Sequence, residues 1–485
     1  MVIHRIPTLA RGIALALVLA ACSDSTSLAP HSSLTTAALP QSARYILRLS
    51  NVGPVPSTVA AFIAGNGGHV VRAHSGTGLV VVAGLSASAA GRLRQQPGVG
   101  AVVADKQRLW IHEPSIVRGV QLNRARAAAG LPTVHTLSGP ASAPAYVQGA
   151  QWWLTNIGAD TAWSQTSQGA GQTVYILDTG VDTAHVELKG HINLKLSKSF
   201  ALVGTTDTVF TWFHDVKGHG TFVSSLVAGN SSEIAAVAPQ AKIVMIRVLG
   251  DDGTGSDSDI LSGLLYAADS GATIISMSLG GYLDRSSGFD LLFAEMFQQA
   301  VDYATARGAL IVVASGNESL NTNTGMAGTL NFLDSLDVPA GLHHLISVGA
   351  TGPIDLTNFN QIAQYSNFGK ADVAVFAPGG NDTVQTHEQA NNFPDWIIGA
   401  CSSAISGGCF AAGEAEYNVG LGTSFATPMV AAEAAVLLGQ SGSLSPATLE
   451  ACILNSASPQ GSGKGDINYN FGLISIPSAL KTSGC

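Results

Sequence analysis

The chain has 485 residues, 46% of them hydrophobic and only 11% charged. Soluble domains usually carry about a quarter charged residues, so a disordered, coiled-coil or polyelectrolyte chain is excluded. The net charge of −9 gives no basis for nucleic-acid binding, and no uninterrupted apolar run reaches the ~20 residues of a membrane span.

At the N-terminus, Arg5 and Arg11 precede an apolar run, Gly12 to Ala21, that ends at Cys22. A basic start followed by a short apolar core reads as an export signal over residues 1–21. Leu19-Ala20-Ala21-Cys22 resembles a bacterial lipoprotein boundary, which makes Cys22 a lipidation site; an ordinary signal with an incidental cysteine is the alternative. Residues 22–43, rich in Ser, Thr, Ala and Pro, read as a tether. Export also places Cys401, Cys409, Cys452 and Cys485 in an oxidising compartment. Three pairings are open. Nearest neighbours, Cys401–Cys409 and Cys452–Cys485, are favoured and would contribute roughly 2.5 and 4 kcal/mol in the chain-entropy model. No CxxC spacing points to zinc.

Residues 44–110 form a self-contained pattern. Tyr45 to Leu49 reads as a strand, and Ser57 as the cap of a short helix stopped at Gly65. His69 to Ala73 and Gly78 to Ala83 are strands separated by the turn Ser75-Gly76. Ser86 starts a second helix, and Val99 to Ala104 is the last strand. The order β-α-β-β-α-β is that of the ferredoxin-like split unit. Residues 111–148 then carry four prolines (114, 132, 140, 144) with no sustained periodicity and read as an exposed, protease-accessible connection.

From 149 to 485 the chain alternates strands and helices. Val174 to Leu177, Lys242 to Leu249, Thr273 to Leu279, Ala309 to Ala314 and Leu345 to Ala350 are buried-strand runs. Ile260, Leu261, Leu264, Leu265 and Ala268 share one helical face, ended by Gly271; Phe293, Phe297, Ala300, Val301 and Ala304 share another, stopped by Gly308. Strands apolar on both faces predict a mainly parallel sheet covered on both sides. In such a sheet the loops at the carboxyl ends of the strands carry the site.

Polar motifs fall at those loops. Asp178 ends an apolar strand, in Leu177-Asp178-Thr179-Gly180. His219, in Gly218-His219-Gly220-Thr221, opens a helix-like stretch. Ser424 lies in Gly422-Thr423-Ser424-Phe425-Ala426-Thr427-Pro428, with Pro428 expected in the first turn of a helix. Each alone has an ordinary structural explanation: a turn carboxylate, a packed histidine, a capping serine. Together they suit amide hydrolysis, where a weak serine nucleophile needs a histidine base and a carboxylate holding the imidazole in one tautomer. Val312-Val313-Ala314-Ser315-Gly316-Asn317 adds an amide donor, Asn317, for the oxyanion of the tetrahedral intermediate. The Ser424 backbone N–H at a helix N-terminus is a second donor. The order Asp, His, Ser is one of three unrelated orders known for such triads. A lipase or esterase of the α/β-hydrolase type would need GxSxG and the serine first; here position 426 is Ala and the serine comes last.

These motifs resemble those of the subtilase family of serine peptidases, over about 149–480 and including Asn470-Phe471-Gly472-Leu473-Ile474. The resemblance implies a three-layer α/β subtilisin-like fold, preceded by a small α+β ferredoxin-like propeptide that acts as chaperone and inhibitor. It implies a peptide-bond hydrolase acting on proteins through an acyl-enzyme, exported and made as an autoprocessed zymogen. A catalytically inert subtilase-fold binding protein is the alternative. Ser278, Leu279 and Gly280 correspond to the strand that pairs with substrate and lines the primary pocket; Ala314, Ser315 and Gly316 to its opposite wall; Gly253, Thr254 and Gly255 to a second pairing edge. Asp252-Gly253-Thr254-Gly255 lacks phosphate-loop spacing. Low charge and apolar neighbours suggest that the pocket takes hydrophobic or aromatic side chains.

Phe425, Met429 and Phe222 depart from the family pattern in ways that alter packing and not proton transfer. The loop Gly229 to Glu233 is short, and Glu187 stands where the family's calcium site supplies an aspartate. A carboxylate-poor loop speaks against a calcium cage of six or more oxygens; no cofactor is expected to be required. An insertion from about Gly380 to Val419 contains Cys401 and Cys409. The implied precursor is membrane-held through Cys22, and the mature enzyme is a released monomer in the periplasm or outside the cell.

Overall fold

The computed structural model describes residues 44–112, 118–120 (backbone only), 139–147, 149–201, 211–354, 358–382, 395–405 and 417–485. The export signal, the tether with Cys22, and Cys409 lie outside the described residues.

The small N-terminal unit has four antiparallel strands in the spatial order His69–His74, Leu79–Ala83, Tyr45–Leu49, Val99–Ala104, with helices Ser57–Gly65 and Ala87–Leu93. This is the expected split arrangement. Ser86 caps the second helix, accepting the Ala89 N–H at 3.2 Å. Ser57, expected as the first helix's cap, is instead its first helical residue; Pro56 precedes it and no side chain caps that end. Alternation along the strands gives the sheet two buried faces. Leu47, Val80, Val82 and Val102 pack with Val59 and Ile63 of the unit's own helix. Ile46, Leu79, Ala101 and Val103 face outward into the core of the larger domain.

In the larger domain an eight-stranded sheet runs in the order 358–362, 346–354, 310–314, 274–277, 173–178, 242–247, 198–199, with 375–378 also paired to 346–354. All pairs are parallel except 346–354 with 358–362. Val174 and Ile176 enter one core layer with the helices His219–Val227 and Thr423–Ser441. Tyr175 and Leu177 of the same strand enter the other, with helices Asp257–Asp269 and Gly288–Ala306. One strand feeding both layers explains why it reads as an uninterrupted apolar run. Ser256 and Ser287 cap the latter two helices, and Gly308, at φ +100°, follows the second where a side chain would strain the turn.

The strand 173–178 is central: the later strand 242–247, with 198–199 beyond it, lies on one side and 274–277 on the other. A crevice at the carboxyl end of such a reversal is the expected site of a ligand. Asp178 is the last residue of that strand.

Residues 111–148, expected as an exposed connection, are packed against the larger domain at several described positions, although Val147 is exposed. Ile111 is buried, Arg118–Val120 pairs with Tyr417–Gly420, and Ala143 and Ala145 belong to the main core. The Ala145 N–H donates to the Glu233 carbonyl at 2.8 Å. Their small apolar side chains pack where periodicity gives no signal. Cys452 and Cys485 form a disulfide, and Cys401 is also disulfide-bonded.

Candidate active site

Asp178 and His219 meet at the crevice. His219 is the first residue of its helix, and its Nδ1 lies 2.8 and 3.0 Å from the two Asp178 carboxylate oxygens. Both side chains are buried. Gly220 allows this approach, because a Cβ there would collide with the Gly180 carbonyl. The Thr179 backbone N–H donates to Asp178 Oδ1 at 2.7 Å, fixing the carboxylate from its own strand end.

Behind the pair sits Asp215, which the sequence reading missed. It is fully buried and accepts from Thr179 Oγ1 (2.7 Å), the Gly218 N–H (2.9 Å), and the Thr221 N–H and hydroxyl (2.7 and 2.6 Å). It thus ties the strand-end turn to the histidine helix. Burial, partly offset by these hydrogen bonds, raises its carboxyl above the usual range. The signal was available locally: Asp215 stands three residues before Gly218, a spacing at which a capping carboxylate accepts from a backbone N–H.

Ser424 is the second residue of the helix Thr423–Ser441, so its backbone N–H belongs to an unpaired helix N-terminus. Its hydroxyl donates to the Ser278 carbonyl at 3.4 Å, a long bond. Phe425, next in the chain, brings its ring to 5.9 Å from the His219 imidazole and 4.2 Å from Phe222. Pro428 is not in the first turn as expected but lies in the helix interior. It has no N–H to give the Ser424 carbonyl, four residues back. The Ser278 hydroxyl supplies that bond at 2.8 Å.

Asn317 faces the same point. Its Oδ1 accepts the Thr423 N–H and hydroxyl, both at 2.9 Å, which leaves the NH₂ end to donate. It donates to the carbonyl oxygen of His112 at 2.5 Å. The chain around His112 lies in the cleft as an added strand. Gln107–Leu109 pairs antiparallel with Thr254–Ser256, the Trp110 N–H donates to Gly253 O at 3.1 Å, and the Gly280 N–H to Trp110 O at 2.9 Å. Trp110 is fully buried, its Nε1 donating to Gly255 O at 3.0 Å. Both expected pairing edges therefore hold a segment of this same chain.

Residues 169–473 match the model of the subtilase family. The chain belongs to that family. It is 32% identical over 298 residues to the thermophilic serine proteinase of Bacillus sp. (strain AK1), an alignment covering 61% of this chain and 59% of that one. It is 31% identical over 315 residues to thermitase of Thermoactinomyces vulgaris, covering 64% of this chain and 90% of thermitase. Its fold resembles that of the epidermin leader peptide processing serine protease EpiP of Staphylococcus aureus, with a TM-score of 0.70 at 20% identity over 91% of this chain and 98% of that one. It is a subtilisin-like serine endopeptidase.

In this subtilase a pocket opens beside Ser424 and Asn317, where the primary pocket is expected. Leu279 to Tyr282 form one wall, and Ala314, Gly316 and Glu318 the other. Ser278 and Ser315 were expected on these walls but turn away: one hydroxyl caps Ser424, the other points to the Asn367 carbonyl at 3.5 Å. The pocket is also less apolar than the sequence suggested, because Asp337 and Glu318 both line it. Asp337 arrives on the strand Ser335–Val338, paired with Gly281–Asp284, a register that sequence does not announce.

The Glu187 carboxylate is engaged by the N–H groups of Ser232, Glu233 and Ile234 (2.9, 2.7 and 3.2 Å) and by the Tyr417 hydroxyl (2.8 Å). Among the described residues, no group of three His, Cys, Asp or Glu side chains could hold a metal.

Proposed function

We propose that this subtilase is an exported zymogen that cuts its own chain between His112 and Glu113, then hydrolyses other proteins. In each turnover the Ser424 hydroxyl attacks the carbonyl carbon, and His219 Nε2 takes the hydroxyl proton. Asp178, on Nδ1, holds the imidazole in register and stabilises its charged form. The oxyanion is met by the Asn317 amide and the Ser424 N–H. The C–N bond then breaks, His219 returns the proton to the leaving amine, and water releases the acyl group by the same steps.

One observation carries this reading: the Asn317 amide, expected to face an oxyanion, donates to a main-chain carbonyl of the same polypeptide. Residues 44–112 then serve as inhibitor before and after cleavage, occupying the cleft through Gln107 to His112. Cations of the small unit meet carboxylates of the larger domain: Arg72 with Asp259 (2.6 Å), Arg48 with Glu295 (2.9 Å), and Arg108 with Asp257 and Asp290 (2.8 and 3.0 Å). Cleavage downstream of Cys22 separates the mature, monomeric enzyme from a lipid anchor. No cofactor takes part, so prolonged chelation leaves activity and melting temperature unchanged.

The inert binding protein finds support in one feature, the Ser424 hydroxyl resting on Ser278 O. Reaction with a fluorophosphonate separates the readings: labelling at Ser424 is expected of the peptidase, and no labelling of the purified mature chain overturns it. The first residue of the mature chain should be Glu113; a start elsewhere overturns the cleavage assignment alone.

A further inference from the structure

The pocket beside Ser424 is lined by two carboxyl groups and, among the described residues, by no lysine or arginine. Asp337 is 8% exposed, lines the pocket, and has no side-chain hydrogen bond or ion pair among the described residues. Glu318 is the second. It accepts from the Tyr282 hydroxyl at 2.6 Å and from Asn367 Nδ2 at 3.1 Å, both neutral donors. Two carboxyls lining one pocket repel, and hydrogen bonds from neutral groups do not neutralise them. Burial, with Glu318 and Asp372 adding like charge, pushes the Asp337 carboxyl well above the usual range. A buried, unpaired acid of this kind is costly unless a counter-charge arrives. The bound segment itself brings an imidazole to this position: His112 Nδ1 lies 3.7 Å from Glu318 Oε1.

We propose that this pocket selects a cationic side chain, lysine or arginine, on the residue whose carbonyl is attacked, with Asp337 and Glu318 as its specificity-determining groups. The inference rests on the reading that Asn317 and Ser424 flank the reacting carbonyl. The walls suit such a guest. Gly280, Gly281 and Gly316 leave room for a long stem, whose methylenes lie along Leu279 and Ala314 while the charged head reaches the acids. An aromatic or aliphatic side chain would strip water from both acids and return nothing. This reverses the apolar preference expected from composition.

The test uses the mature enzyme and peptide anilides that differ only in the residue before the leaving group: Lys, Arg, Phe or Leu. The expected result is a kcat/KM at least tenfold higher for Lys and Arg than for Phe and Leu. In Asp337→Asn the Lys-to-Phe ratio should fall at least tenfold, and in Glu318→Gln by a smaller factor. Active enzyme is counted by fluorophosphonate titration, so a poorly folding variant still yields a ratio from its active fraction. Should Asp337→Asn yield no active enzyme, the wild-type series and Glu318→Gln decide. A wild-type preference for Phe or Leu, or an unchanged ratio in the variants, overturns the proposal and leaves the triad reading intact. Failure to hydrolyse any of the four peptides, with no fluorophosphonate uptake, sinks that underlying reading instead.

Discussion

The Ser278 hydroxyl donates to the backbone carbonyl of Ser424 at 2.8 Å, while the Ser424 hydroxyl donates back to the Ser278 carbonyl at 3.4 Å. The helix cannot satisfy the Ser424 carbonyl itself, because Pro428 sits where the N–H should be. Ser278→Ala therefore leaves a buried acceptor unsatisfied, which costs about 1–3 kcal/mol. The expected outcome is a lower melting temperature together with a roughly tenfold loss of kcat, as the nucleophile's helix shifts. An unchanged kcat would show that the first turn holds its position without this bond.

Asn317 is held at one end and free to donate at the other. Truncating it to Ala should lower kcat about 10²–10³-fold, the loss measured for a comparable donor, with little change in KM. Thr423→Val removes one of the two donors that orient the amide and should cost less. Steady-state kinetics on one peptide checks both. An Asn317→Ala enzyme within a factor of three of wild type contradicts the assigned role.

Arg108 bridges Asp257 and Asp290 across the boundary between the small unit and the larger domain. Removing one partner of a buried ion pair costs about 2–5 kcal/mol, mostly through the charge left behind. In Arg108→Met the cleaved small unit should leave sooner, and the lag before activity appears should shorten at least tenfold. Raising the salt concentration should shorten it less, since buried pairs are weakly screened. Progress curves after dilution of the processed complex provide the measurement, and an unchanged lag would remove these ion pairs from the account of inhibition.

Glu433, in the middle of the nucleophile's helix, is fully buried, and among the described residues neither of its carboxyl oxygens has a hydrogen-bond partner. Burial pushes its carboxyl up to about 8. The folded protein thus keeps a proton that an unfolded chain releases above about pH 4.3. Stability from this group is full below that value and falls as pH rises towards 8, by up to about 1.4 kcal/mol per pH unit. Glu433→Gln carries no titrating proton. The drop in melting temperature between pH 5 and pH 9 should be smaller in the variant than in wild type, and equal drops contradict the assignment.

What could be read before folding follows the range of the interactions. Strand 173–178 announces itself because both its faces are buried, and Asp178 because a strand ends on it. His219, Ser424 and Asn317 stand in short motifs whose small residues let backbones approach. The small unit's order of elements follows from its turns and alternation. The rest depends on contacts between distant segments. Asp337 enters the pocket through pairing with 281–284, and Ser278 matters only once Pro428 has freed a carbonyl. Ile111, Ala143 and Ala145 pack as single small side chains, so no periodicity marks their stretch as fastened. The pocket's polarity was misjudged for the same reason: composition averages over the chain, whereas two carboxyls decide one cavity.

Mass spectrometry of the purified full-length chain, wild type beside Ser424→Ala, bears most directly on whether these remote side chains make a working nucleophile. Wild type should appear as a chain beginning at Glu113 that takes up one fluorophosphonate on Ser424, while the variant stays uncut and unlabelled. A Ser424→Ala chain trimmed at the same bond under the same conditions, with no other peptidase present, would contradict the mechanism.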